Sequence, residues 1–181
     1  MKYIIFIVLV LVSGCTAVGV TNTDDPYEKL AQSYQLMSEN RPIPAEFNAQ
    51  DALKIFKEKN DVFGEAEAYY FLGVFYKAKS GWENVDKNEY INKSITYLIK
   101  ASDTYKSIKE NIQASKASFE LANAYRGLED KENYCKHYSN SLSLYTSGTG
   151  EHKTFKMNNP NVKSPKELLE FYVNELCPNN A

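Results

Sequence analysis

From residue 25 onwards helix signals punctuate this chain densely, and strand signals are almost absent. Asp25-Pro26-Tyr27-Glu28 combines an N-cap, a proline at the first helical position and an acidic third residue, which predicts a helix over 26–38. Arg41-Pro42-Ile43-Pro44 is expected to break it. A second helix follows over 45–59 and a third over 62–79, the latter ended by Ser80-Gly81. Asp86-Lys87-Asn88-Glu89 is a capping box that opens a long helix to about Ile108. A fifth helix is expected over 112–128 and a sixth over 131–145, before the turn Ser147-Gly148-Thr149-Gly150. Ser164-Pro165-Lys166-Glu167 then caps a seventh that reaches Leu176. The prediction is an all-α chain of about seven helices.

An internal repeat sharpens this picture. Residues 52–76 (ALKIFKEKNDVFGEAEAYYFLGVFY) align without a gap on residues 101–125 (ASDTYKSIKENIQASKASFELANAY), at an offset of 49. Ala52 matches Ala101, Phe56 Tyr105, Leu72 Leu121, Gly73 Ala122 and Tyr76 Tyr125. Each copy spans the second helix of one hairpin, a turn and the first helix of the next, so the unit is a pair of antiparallel helices. In Tyr69-x-x-Leu72-Gly73-x-x-Tyr76 the large, large, small, large spacing falls on one helical face, and Ser118-x-x-Leu121-Ala122-x-x-Tyr125 repeats it. Ser94-x-x-x-Leu98-x-x-Ala101 and Tyr134-x-x-x-Tyr138-x-x-Ser141 supply the partner-helix pattern. These residues resemble the tetratricopeptide repeat. A nine-residue insertion around GWENVDKNE departs from that pattern. The resemblance implies antiparallel hairpins stacked as a short right-handed array, whose first helices line a concave face that takes an extended peptide or a partner's helix.

The N-terminus bears on location. Lys2 precedes ten apolar residues (YIIFIVLVLV), a run too short to span a bilayer but right for a secretory signal. Val12-Ser13-Gly14-Cys15 then resembles the lipobox of bacterial lipoproteins. The resemblance implies removal of residues 1–14, acylation of Cys15, and a tether over 15–25 ahead of a helical domain over 26–177. An ordinary signal cleaved near Ala17 is the alternative. In two-membrane bacteria, lipoproteins of the lipobox kind usually go to the outer membrane unless Asp follows the cysteine, so with Thr16 the resemblance implies its periplasmic face.

Composition excludes more than it selects. Of 21 basic residues the signal holds Lys2 alone, which leaves a formal charge of −3 and nothing that suggests nucleic acid. Beyond Cys15 the only cysteines are Cys135 and Cys177, a pair suited to a disulfide in an oxidising compartment, with two free thiols as the alternative. Metal binding through Cys135 and His137 lacks a second close ligand pair, and no cofactor is implied. Catalysis has little support, since His137 and His152 lie in no nucleophile or metal motif.

On the expected concave face, Tyr70, Val74, Lys77, Asn123 and Arg126 are the side chains of helices three and five that miss the packing positions. Trp82 in the insertion either contacts a partner or clips onto its own helices. The leading expectation is a lipid-anchored scaffold or assembly factor of the envelope, of the pilotin or secretion-accessory kind, whose partners are envelope proteins or peptides. An immunity lipoprotein that neutralises a toxin is the alternative. An envelope enzyme comes third.

Overall fold

The computed structural model describes residues 22–148 and 162–178; the signal, Cys15, the tether up to residue 21 and His152 lie outside them. Seven helices are present and no strand occurs among the described residues: α1 (Pro26–Ser38), α2 (Pro42–Glu58), α3 (Val62–Lys79), α4 (Lys87–Ser107), α5 (Asn111–Gly127), α6 (Lys131–Ser147) and α7 (Pro165–Leu176).

Local chemistry sets these ends. The carboxylates of Asp25, Asp61, Asp86 and Asp130 and the Ser164 hydroxyl each accept a backbone N–H of the first helical turn. Four helices also stop in the same way. The N–H groups of Arg41, Asp61, Glu110 and Asp130 reach back to the carbonyls of Leu36, Phe56, Tyr105 and Tyr125, while the preceding Asn40, Asn60, Lys109 and Glu129 take left-handed φ of 54 to 63°. The residue that completes one stop is therefore the N-cap of the next helix, and such short turns return the chain antiparallel. One expectation needs correction. Pro42 and Pro44 do not lie outside α2 but form its first turn, where a missing N–H costs no intrahelical bond.

Each helix packs on the next, from α1 on α2 through to α6 on α7. α1 also touches α3, and α3 touches α5, whereas α2 and α4, or α4 and α6, make no such approach among the described residues. α1, α3 and α5 thus form a close-set inner layer, and α2, α4 and α6 an outer layer whose helices do not meet one another among the described residues. Small residues permit the tight crossings. A Cβ on Gly73 would lie 2.6 Å from Leu98, and the Ser94 hydroxyl donates to the Gly73 carbonyl at 2.7 Å. In the second copy Ala122 packs beside Tyr138, and Ser141 donates to the Ser115 carbonyl at 2.8 Å. The repeat is also visible in ring geometry: Tyr76 stacks on Tyr97 of α4, and Tyr125 stacks on His137 of α6, both at 5.4 Å.

Cys135 and Cys177 form a disulfide with Cα atoms 5.6 Å apart, and both are buried. The bond ties the end of α7 to α6. Cys135 is therefore a disulfide partner and not a metal ligand beside His137. None of the described helices is long and apolar enough to cross a membrane.

Candidate functional site

The inner layer presents a stripe from α3 (Glu67, Tyr70, Val74 and Lys77), at spacings that place them along one helical face. α5 lies alongside, and its Glu120 pairs with Lys77 across the helix boundary. Tyr105, buried below, donates to Glu67 at 2.6 Å; burial first and Glu67 second push its hydroxyl pKa far above the ordinary value. Tyr70 shifts the same way, with burial the largest cause, followed by Glu120, Tyr34 and Glu67. Lys116 of α5 is held below the usual lysine range by burial, against which Glu67 acts.

Tyr34 of α1 keeps 45 % of its surface exposed, yet burial is the main cause raising its hydroxyl pKa. α1, α3 and α5 thus share a tyrosine-rich face, the candidate recess, on which Glu67 and Glu120 supply carboxylates.

The sequence-derived residues divide on this surface. Tyr70 and Val74 do not miss the packing positions: Tyr70 packs against two core clusters and Val74 against one of them, because α1 and α5 flank α3 on this side. Asn123 accepts from the Tyr138 hydroxyl at 2.7 Å, so it belongs partly to the support of the core. Arg126 is exposed, with its guanidinium 5.7 Å from the centre of the Tyr172 ring of α7. Trp82 sits away from this recess, edge-to-face on Phe75 at 6.1 Å with Lys79 beside it, so the insertion is clipped to its own helix. Glu67, Tyr34 and Lys116 were missed by sequence reasoning; the stripe 67, 70, 74, 77 was the signal that extends to Glu67.

Comparison with family models, curated proteins and solved structures finds no match.

His137 stands apart from the recess. Its ring stacks parallel on Tyr125, and Nδ1 is buried without a hydrogen-bond partner. Burial first, then Lys136 and Lys106, lower its pKa from 6.5 to about 4, with Asp103 opposing. The folded state therefore holds the neutral ring where the unfolded chain binds a proton. Stability from this group is complete above pH 6.5 and is lost as pH falls toward about 4. The ring is only partly buried, so the expected loss is screened to about 1–2 kcal/mol. Urea unfolding at neutral pH and near pH 4.5 checks it: the pH-dependent loss should shrink by about that amount in His137→Phe, and an unchanged pH dependence in that variant would refute the assignment.

Proposed function

We propose that this chain is a lipid-anchored scaffold of the bacterial envelope, of the tetratricopeptide type, whose inner helical layer holds an extended segment of a partner protein. The observation that carries the reading is the recess itself, where Tyr34, Glu67, Tyr70, Lys77 and Arg126 put hydroxyl, carboxylate and cationic groups along one aromatic surface. Tyrosine suits such a role because it offers contact area and a polar tip at low entropic cost. The repeated small-on-large crossings, Gly73 under Leu98 and Ala122 beside Tyr138, support the tetratricopeptide reading. Val12-Ser13-Gly14-Cys15 supports the anchor, through which the recess would face the periplasm from the outer membrane.

Affinity capture from crosslinked membranes tests both parts. Tyr70→Phe, Lys77→Met and Arg126→Ala together remove polar tips and leave most of the packing, so capture should fall by roughly tenfold while thermal unfolding stays close to wild type. Capture at wild-type level in that variant would overturn the recess as the binding face. Cys15→Ser should separately release the protein from the membrane fraction or leave it as an uncleaved precursor.

A further inference from the structure

The outer layer carries a second constellation, in the cleft between α2 and α4 that α3 floors. Lys57 at the end of α2 places its ammonium 5.3 Å from the centre of the Tyr69 ring, and Lys100 of α4 places its own 5.6 Å from the same ring and 5.8 Å from that of Tyr97. Tyr69 is 8 % exposed and forms the floor; Tyr97 tilts against it at 6.2 Å. The Tyr69 hydroxyl is the largest cause holding Lys57 above the ordinary lysine pKa, and Glu65 and then Tyr97 add to it against the effect of burial, so Lys57 is charged.

Among the described residues neither lysine is in ion-pair contact with a carboxylate, although Glu65 acts on Lys57 from further off. The contrast is local. At the other end of the same aromatic stack, Lys79 is paired with Glu46 at 3.1 Å and Lys93 with Glu89 at 2.6 Å. Two cations over one ring give an anion that enters the cleft two attractive partners. No protein acceptor among the described residues takes the hydroxyl proton of Tyr69 or Tyr97. The cleft therefore collects two ammonium groups and two hydroxyls, with neither lysine in an ion pair among the described residues.

The second repeat copy is a built-in control. The equivalents of Lys57, Tyr69, Tyr97 and Lys100 are Lys106, Ser118, His137 and Asn140. There Lys106 is bonded to Asp103 at 3.0 Å and Asn140 donates to Ser118 at 3.0 Å. The equivalent of Lys57 is thus already paired, and Asn140 stands in place of the second lysine.

We propose that the α2–α4 cleft binds a phosphate-type oxyanion between Lys57 and Lys100, with the Tyr69 and Tyr97 hydroxyls as further donors. Lysine ammoniums on flexible stems are common phosphate binders and charge-assisted donors are the strong ones. The phosphate belongs either to a free solute or to a lipid headgroup, and the experiment separates them. It does not rest on the scaffold reading.

Inorganic phosphate titrated against the purified full chain, at ionic strength matched with chloride, should raise the unfolding temperature saturably. Lys57→Met and Lys100→Met keep the apolar stems over Tyr69 and should each weaken the midpoint by roughly tenfold. Lys106→Met should titrate like wild type. Without phosphate, both Met variants should unfold close to wild type, since the charges they remove are exposed. Phosphatidylglycerol vesicles form the second arm: sedimentation of wild type but not of the two Met variants supports the headgroup as source, whereas saturation by inorganic phosphate alone supports a free solute. Absence of both saturation and vesicle binding would overturn the proposal, as would equal titration of all three variants and wild type, which indicates an adventitious ion only.

Discussion

Gly73→Leu is expected to lower stability by about 2–3 kcal/mol, although the same change on an exposed helix surface would raise it by nearly 1 kcal/mol through helix propensity. The opposite signs make the experiment decisive. A Cβ alone would come within 2.6 and 2.7 Å of the Leu98 side chain and 3.2 Å of the Leu98 backbone nitrogen, so the clash extends from side chain to main chain. Leu98 is fully buried and has nowhere to turn, and the Ser94 bond to the Gly73 carbonyl fixes α4 at this distance. The substitution must push α4 away from α3 and break that bond. Chemical unfolding should show the loss, and Ala122→Leu should behave in the same direction because Tyr138 occupies the equivalent place. Gly127→Ala is the control: its Cβ would meet only the flexible end of Ile91, at 3.0 Å. If Gly73→Leu unfolded at the same denaturant concentration as wild type, or later, the α3–α4 crossing described above would be wrong.

Loss of the disulfide should have an effect at least as large. Cys135 and Cys177 are separated by 42 positions, for which chain entropy alone gives about 4 kcal/mol, and engineered or removed bonds typically deliver about 2–4. The local structure places the damage. Among the helices α7 has its backbone close only to α6, and it is held by buried Leu168, Leu169 and Cys177 and by Tyr172 against Phe119 and Tyr138. Cys177→Ala should therefore free α7 ahead of the rest, exposing Tyr138 and the ring beneath Arg126. Limited proteolysis should cut α7 first in that variant, and non-reducing peptide mapping of the wild type should find the two cysteines linked. Full alkylation of both thiols in native protein without reductant would remove the bond and the argument together.

How much of this was legible beforehand depends on the range of the forces involved. Helix starts at Asp25, Asp61, Asp86, Asp130 and Ser164 are decided within one turn of chain, so sequence locates them well. Stops at Asn40 and Asn60 are of the same kind, because asparagine tolerates the left-handed conformation. Lys109 and Glu129 adopt it without any such preference, held by the bonds from Glu110 and Asp130 back to Tyr105 and Tyr125. The prolines at 42 and 44 show the limit of a local rule, since the same residue both ends one helix and opens another.

The repeat let the sequence assign Gly73 and Ala122 to close crossings, because packing small against large leaves a periodic trace. It did not assign the faces. α3 is apolar nearly all round, so its own pattern cannot say which side meets α1 and α5, and Tyr70 and Val74 were taken for surface when both are packed. Asn123 looked free until Tyr138, fifteen positions away, was seen to donate to it. Lys57 and Lys100 lie far apart along the chain and both reach the Tyr69 ring only because α2 and α4 pack on the same helix. Caps, turns and the repeat were thus fixed by the sequence itself, through contacts a few residues long. Which polar groups are spent inside the fold, and which face outward in pairs, was decided only when distant helices were brought together, because burial and charge pairing depend on neighbours that no local stretch contains.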